Sequence, residues 1–187
     1  MISHEKIISL PIGLANRYWT HGDISIISQK TKTIKNFMNR KHLFYLNVSS
    51  STHFERNFLI NRMKLNFHSE KNFNEKEKFY ICSERKSWSE YLDDISNSIF
   101  VLSPRGNGSD CHRTWETLYL GAIPVVVDNG KENINLYDDL PIVKLKNWEE
   151  WNINTLNKHL IEFLQQEKNF NKEKIWFSYW KDLISDI

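Results

Sequence analysis

The sequence predicts an α/β fold: a doubly wound, Rossmann-like parallel sheet closed by C-terminal helices. Three observations carry this expectation. Five short apolar runs recur along the chain, at Leu43–Leu46, Phe79–Cys82, Ile99–Leu102, Ile123–Val127 and Pro141–Leu145. Segments of helical spacing separate them, the alternation of a parallel sheet with crossover helices. The stretch from Ile99 to Asp128 holds one whole βαβ unit: an apolar run, a small-residue loop, a helix and a second apolar run. Its crossover should be right-handed. Any ligand should sit beyond the strand C-termini, at Ser103–Arg113 and near Ser49–Arg56.

Taken in order, Ile7–Gly13 reads as a short strand running into a turn, and Leu14–Gly22 as a loop offering Arg17, Trp19 and His21. Ile24–Arg40 is partly helical. After the first run, Thr52 with Glu55 three residues later forms a capping-box pattern for a helix over 53–65. Phe54, Phe58, Leu59 and Met63 give that helix an apolar stripe. His68–Lys78 is a polar loop. Ser87 caps a helix through Trp88, Tyr91, Leu92 and Ile95, with Asp93 and Asp94 on a solvated face. Asn129–Gly130 marks a turn, and Asn133–Leu140 a loop or a single helical turn. A long helix over Trp148–Glu167 and an aromatic one over Lys172–Ile187 finish the chain.

The loop Ser103–Gly108 and the helix Ser109–Leu120 hold the densest chemistry. Gly106 and Gly108 let backbone approach a ligand closely. Ser109 or Asp110 can cap the helix, whose free N–H groups and dipole attract phosphate. Arg113 and Glu116, three apart, project from one face. Cys111, Trp115 and Leu118 lie opposite and should pack on the sheet. Gly121 can stop the helix. A cation for a diphosphate beside an acid for ribose hydroxyls suits a nucleotide sugar; the same pattern also describes a capped surface helix with an ordinary ion pair.

This stretch resembles the donor-binding segment of exostosin-like glycosyltransferases, whose fold is the two-domain GT-B. Their pattern is an apolar strand, a Pro/Gly loop, S-x-R-x-x-E, a short helix and G-x-(I/V)-P-V. Cys111–Glu116 stands at S-x-R-x-x-E, with cysteine in place of the serine, and Gly121–Val125 stands at G-x-I-P-V. The resemblance implies a nucleoside-diphosphate-sugar donor, with Arg113 at the diphosphate and Glu116 at the ribose. It implies one Rossmann-like GT-B half over residues 41–187, with 1–40 as a remnant or interdomain junction. The expected donor set is Arg105, Gly106, Asn107, Gly108, Ser109, Arg113 and Glu116. A Thr-x-x-x-Arg arrangement in similar family members adds Thr52 and Arg56 in second rank. The expected enzyme is a hexosyl- or pentosyltransferase, with a glycan or glycoconjugate as acceptor and no cofactor. The absence of Asp-x-Asp from the sequence favours a metal-free reaction.

Composition sets the outer bounds. The chain of 187 residues, 40% hydrophobic and 13% aromatic, suits one core-bearing domain. A net charge of +2 leaves no nucleic-acid footprint. Two cysteines, Cys82 and Cys111, make no disulfide framework. The N-terminus does not read as a signal peptide, and no apolar run reaches membrane-span length, so cytoplasmic residence is the default. Two rival functions remain. A dinucleotide-dependent oxidoreductase would use Gly106-x-Gly108 and Asp128, but Cys111 stands at the third glycine position. A non-catalytic nucleotide-sugar-binding module would need a partner domain or self-association. A Ser–His–Asp hydrolase is disfavoured by the lack of a Gly-x-Ser-x-Gly elbow. No catalytic base stands out; His21 and Asp23, within Arg17–Asp23, are the first to examine.

Overall fold

A computed structural model describes residues 8–69, 79–81, 85–128, 135–166 and 170–185. The elements run α1 (Ile24–Thr31), a 3-10 turn (Phe37–Asn39), β1 (His42–Leu46), α2 (Phe54–Ser69), β2 (Phe79–Ile81), α3 (Trp88–Ser96), β3 (Ser98–Leu102), α4 (His112–Tyr119), β4 (Ile123–Val127), β5 (Val143–Leu145), α5 (Ile153–Gln166), a second 3-10 turn (Lys172–Ile175) and α6 (Phe177–Ser185). The five strands form one sheet in the order β2-β1-β3-β4-β5, every neighbouring pair parallel. The predicted doubly wound α/β sheet with C-terminal helices is therefore the observed one. The chain steps outward from β1 to β2, then returns to the other side through β3. That reversal opens a crevice beyond the C-termini of β1 and β3.

Alternate residues of each strand feed opposite cores. Phe44, Leu46, Phe100, Leu102, Val125 and Leu145 pack on one face with Leu59 and Met63 of α2 and Leu156 and Phe163 of α5. On the other face Tyr45 and Val101 meet Ile27 of α1 and Leu92 and Ile95 of α3. Val126 meets Trp115 and Leu118 of α4 and Trp180 of α6.

At the far end from the crevice, Arg40 ties the helices together. It is 8% exposed. All five of its N–H groups reach backbone carbonyls: Nε to Lys35, Nη1 to Ile95 and Ser98, Nη2 to Leu120 and Gly121. The carbonyls of Ile95 and Leu120 belong to the C-terminal ends of α3 and α4, where a cation also complements the dipole. Burial lowers the Arg40 pKa to about 10, so it keeps its charge at neutral pH. Gly121 ends α4 as expected, at φ +66. Its N–H bonds Leu118 O and the Ala122 N–H bonds Thr117 O, the paired bonds of a Schellman stop.

Several local expectations are corrected. Ile8–Gly13 forms no strand: the Ile12 N–H goes to the Asp110 carboxylate, and Gly13 turns at φ +65. The capping box at Thr52 does not form. His53 Nδ1 accepts from the Glu55 N–H, and the Glu55 carboxylate accepts from Trp148 Nε1. Asp94 is not solvated but paired with Lys86, while Asp93 pairs with Lys30. Helix α5 starts at Ile153, because Trp148 and Trp151 are buried in the preceding turns. The C-terminal helix is broken at Trp176, whose extended backbone separates the second 3-10 turn from α6. The expectations for Cys82 and for the turn at Asn129–Gly130 fall outside the described residues.

Candidate functional site

The loops after β1 and β3 meet at the crevice, and Arg56 staples them. Standing in the first turn of α2, it donates from Nε to Arg105 O at 2.8 Å, from Nη1 to Ser49 O at 3.3 Å and from Nη2 to Pro104 O at 3.4 Å. It is 9% exposed, not a surface arginine. A Cβ at Gly106 would lie 3.0 Å from Arg56 Nη2, so a larger residue there would press on the guanidinium. The Gly106 N–H closes the loop on Gly108 O at 3.2 Å. Arg105 and Ser109 are partly buried, whereas Asn107, Gly108 and Thr52 are exposed at the rim.

Helix α4 brings Arg113 and Glu116 to one face, as their spacing requires. Both meet Tyr91 of α3. The Tyr91 hydroxyl donates to Glu116 Oε2 at 2.9 Å and accepts from Arg113 Nε at 3.1 Å. Arg113 Nη2 donates to Asn47 O, just past the end of β1, at 2.6 Å. Arg113 thus reaches from α4 across the crevice to the β1 loop. Tyr91 is itself fixed. Ser87 and Glu90 form a full capping box at the start of α3, and the Trp88 ring stacks on Tyr91 at 5.5 Å and 20°.

The electrostatics follow from burial. Glu116 is 3% exposed. Burial raises its pKa above the usual carboxylate value, against the opposing pull of the Tyr91 hydrogen bond and the Arg113 charge. Burial alone would lower the Arg113 pKa, but Tyr91, Cys111 and Glu116 outweigh it and hold the guanidinium above its ordinary value. Burial, followed by the charge of Arg113, lowers Arg56. Burial pushes the Tyr91 phenol well up, so it stays neutral. The crevice therefore sets two guanidiniums against one carboxylate, an excess of positive charge suited to an anion.

The predicted cap of α4 is corrected. Its N-cap is Cys111, which makes no side-chain capping bond. Asp110 is drawn away: its carboxylate accepts from Trp115 Nε1 at 2.9 Å, Tyr137 Oη at 2.8 Å and the Ile12 N–H at 2.8 Å. Trp115 and Leu118 pack as expected, with Val126 of the sheet. Cys111 instead points its sulfur at Ser103 Oγ, 3.1 Å away, and Thr114 Oγ1, 3.6 Å away. Asp23 caps α1, and its hydrogen bonds from Ser25 lower its pKa, which argues against a base there. His21 is exposed beside the rings of Trp19 and Trp88. The residue that sequence reasoning missed is Tyr91, whose place in the apolar stripe of α3 hid its hydroxyl.

Among the described residues no cluster of three or more His, Cys, Asp or Glu could hold a metal ion, and no helix is long and apolar enough to cross a membrane. No curated protein matches the chain. Residues 25–186 match the family model described as the RXYLT1 C-terminal domain. That match runs from the second residue of α1 through α6 and covers every side chain of the crevice, so the chain belongs to the RXYLT1 C-terminal domain family and is a glycosyltransferase-family domain.

Proposed function

We propose that the chain is the donor-binding half of a GT-B glycosyltransferase, which takes a sugar from a nucleoside diphosphate and delivers it to a glycan or glycoconjugate without a metal ion. The observation that carries this reading is the pair Arg56 and Arg113, held at the switch-point crevice by backbone carbonyls and each within reach of the other's charge. Two cations so placed favour an anion between them. In sugar transfer they would stabilise the charge that develops on the leaving diphosphate. Glu116 would take the ribose hydroxyls, and the loop Arg105–Ser109 would close over the phosphates. The family match to a C-terminal domain agrees with a half that works beside an acceptor-binding partner. No cofactor beyond the donor is needed.

Calorimetric titration of the purified chain with a panel of nucleoside diphosphates and their sugars tests this reading, each run with and without chelator. Binding that persists in chelator is the expected result. No binding by any ligand would reject the donor site, and binding restored only by manganese or magnesium would reject metal independence.

A further inference from the structure

We infer that Tyr91 is a positioning residue that makes the site select ribonucleotides over deoxyribonucleotides, by holding Glu116 with one carboxylate oxygen left for the sugar; this rests on the donor-site reading above. The geometry divides the labour between the two oxygens of Glu116. Oε2 accepts the Tyr91 hydroxyl at 2.9 Å. Oε1 has no hydrogen-bond partner among the described residues. Glu116 is only 3% exposed, yet Oε1 is not sealed from solvent, so it stands as an accessible acceptor with no protein donor of its own. Its best partner is an O–H donor arriving with a ligand, and a ribose presents two. Fixing Oε2 removes the carboxylate's freedom to turn, so Oε1 meets the incoming hydroxyl in one orientation.

The rest of Tyr91 is built for that task. The ring packs against Trp88 and against Tyr45 of β1, with centroid distances of 5.5 and 6.3 Å. The hydroxyl accepts from Arg113 Nε, which commits its own proton to Glu116. One atom therefore sets the direction of both the cation meant for the diphosphate and the acid meant for the ribose. A nucleoside diphosphate carries on one molecule both the phosphates and the hydroxyls that this pair would take. A ligand lacking the ribose hydroxyl leaves Oε1 unmet, and such sites reject it.

The test compares uridine, guanosine, adenosine and cytidine diphosphates with their 2′-deoxy and 3′-deoxy forms, against the wild-type chain, Tyr91→Phe and Tyr91→His. The readout is the ratio of affinities for ribo and deoxy ligands, which a loss of stability alone does not move. Wild type should prefer the ribo form of its nucleotide by about tenfold to a hundredfold, the range of a charge-assisted hydrogen bond. Tyr91→Phe, which keeps the ring and its packing, should bring the ratio to within about threefold of unity. Tyr91→His, which returns a ring N–H, should recover part of it. Equal ratios in all three chains would overturn the inference and leave the donor site standing. A wild type that binds without discrimination would also overturn it. A wild type that binds no nucleoside diphosphate would overturn the donor reading, and with it the inference.

Discussion

At the scale of single residues, the site exchanges stability for binding. Glu116 has a folded pKa above its unfolded value, and burial is the main cause. The native state therefore holds the Glu116 proton more tightly than the unfolded chain does. Its stabilising share is complete below the unfolded value of about 4.5 and is lost as pH rises through the folded value. Glu116→Gln should accordingly raise the melting temperature at pH 7, with the gain shrinking as pH falls toward 4, while nucleotide affinity drops. A melting temperature unchanged or lowered at pH 7 would contradict this. Arg113→Ala should weaken nucleoside-diphosphate binding by about 1–3 kcal/mol in the same titrations, the worth of a charge-assisted hydrogen bond to phosphate. The pairing of Arg113 with Glu116 was legible in the sequence because both sit on one helix, three apart. Tyr91 was not, because its partners lie 22 and 25 residues away and its ring fits the apolar stripe of α3. The cap at Asp110 was misread for a like reason. Its three partners come from Ile12, Trp115 and Tyr137, and only Trp115 is near in sequence.

At the scale of elements, strands were read closely and helix ends less so. The five apolar runs are the five strands, because a buried parallel strand needs a near-continuous apolar run and shows it openly. Helix starts depend on which polar group finds a distant partner. Trp148 and Trp151 looked like the first turn of α5 but serve as core anchors ahead of it. Gly121 was legible, since only glycine takes its φ of +66 without strain. Gly121→Ala should cost about 1–2 kcal/mol for that backbone alone. The methyl group would also approach Ile34 Cγ2 to 2.9 Å and Arg40 Nη2 to 3.3 Å, so urea denaturation should show a larger loss. Arg40 carried no sequence signal at all. Arg40→Ala should cost about 3 kcal/mol or more by leaving several carbonyls unmet. Arg40→Lys should recover little, because one ammonium cannot span five acceptors on three segments.

At the scale of the whole molecule, the sheet order places Arg56, Arg113 and Glu116 at one edge, but among the described residues no side chain there is an evident base. An inverting transfer needs one opposite the leaving group. The isolated chain should therefore bind a nucleotide sugar and transfer it slowly or not at all, with activity appearing when an acceptor domain is supplied in cis or in trans. Efficient transfer by the monomeric chain would refute this and turn attention to His21. The Arg40 bolt bears on how such an experiment is assembled. Residues 24–40 hold Ile27 in the core shared with Tyr45 and carry the guanidinium that closes the lower ends of two helices. A fusion junction or truncation point placed at Lys41 would cut the molecule through its own foundation. Splices to a partner domain belong ahead of Ile12, because the Ile12 N–H meets the Asp110 carboxylate, Gly13 O accepts from His112, and His21 lies against Trp88, the ring that supports Tyr91.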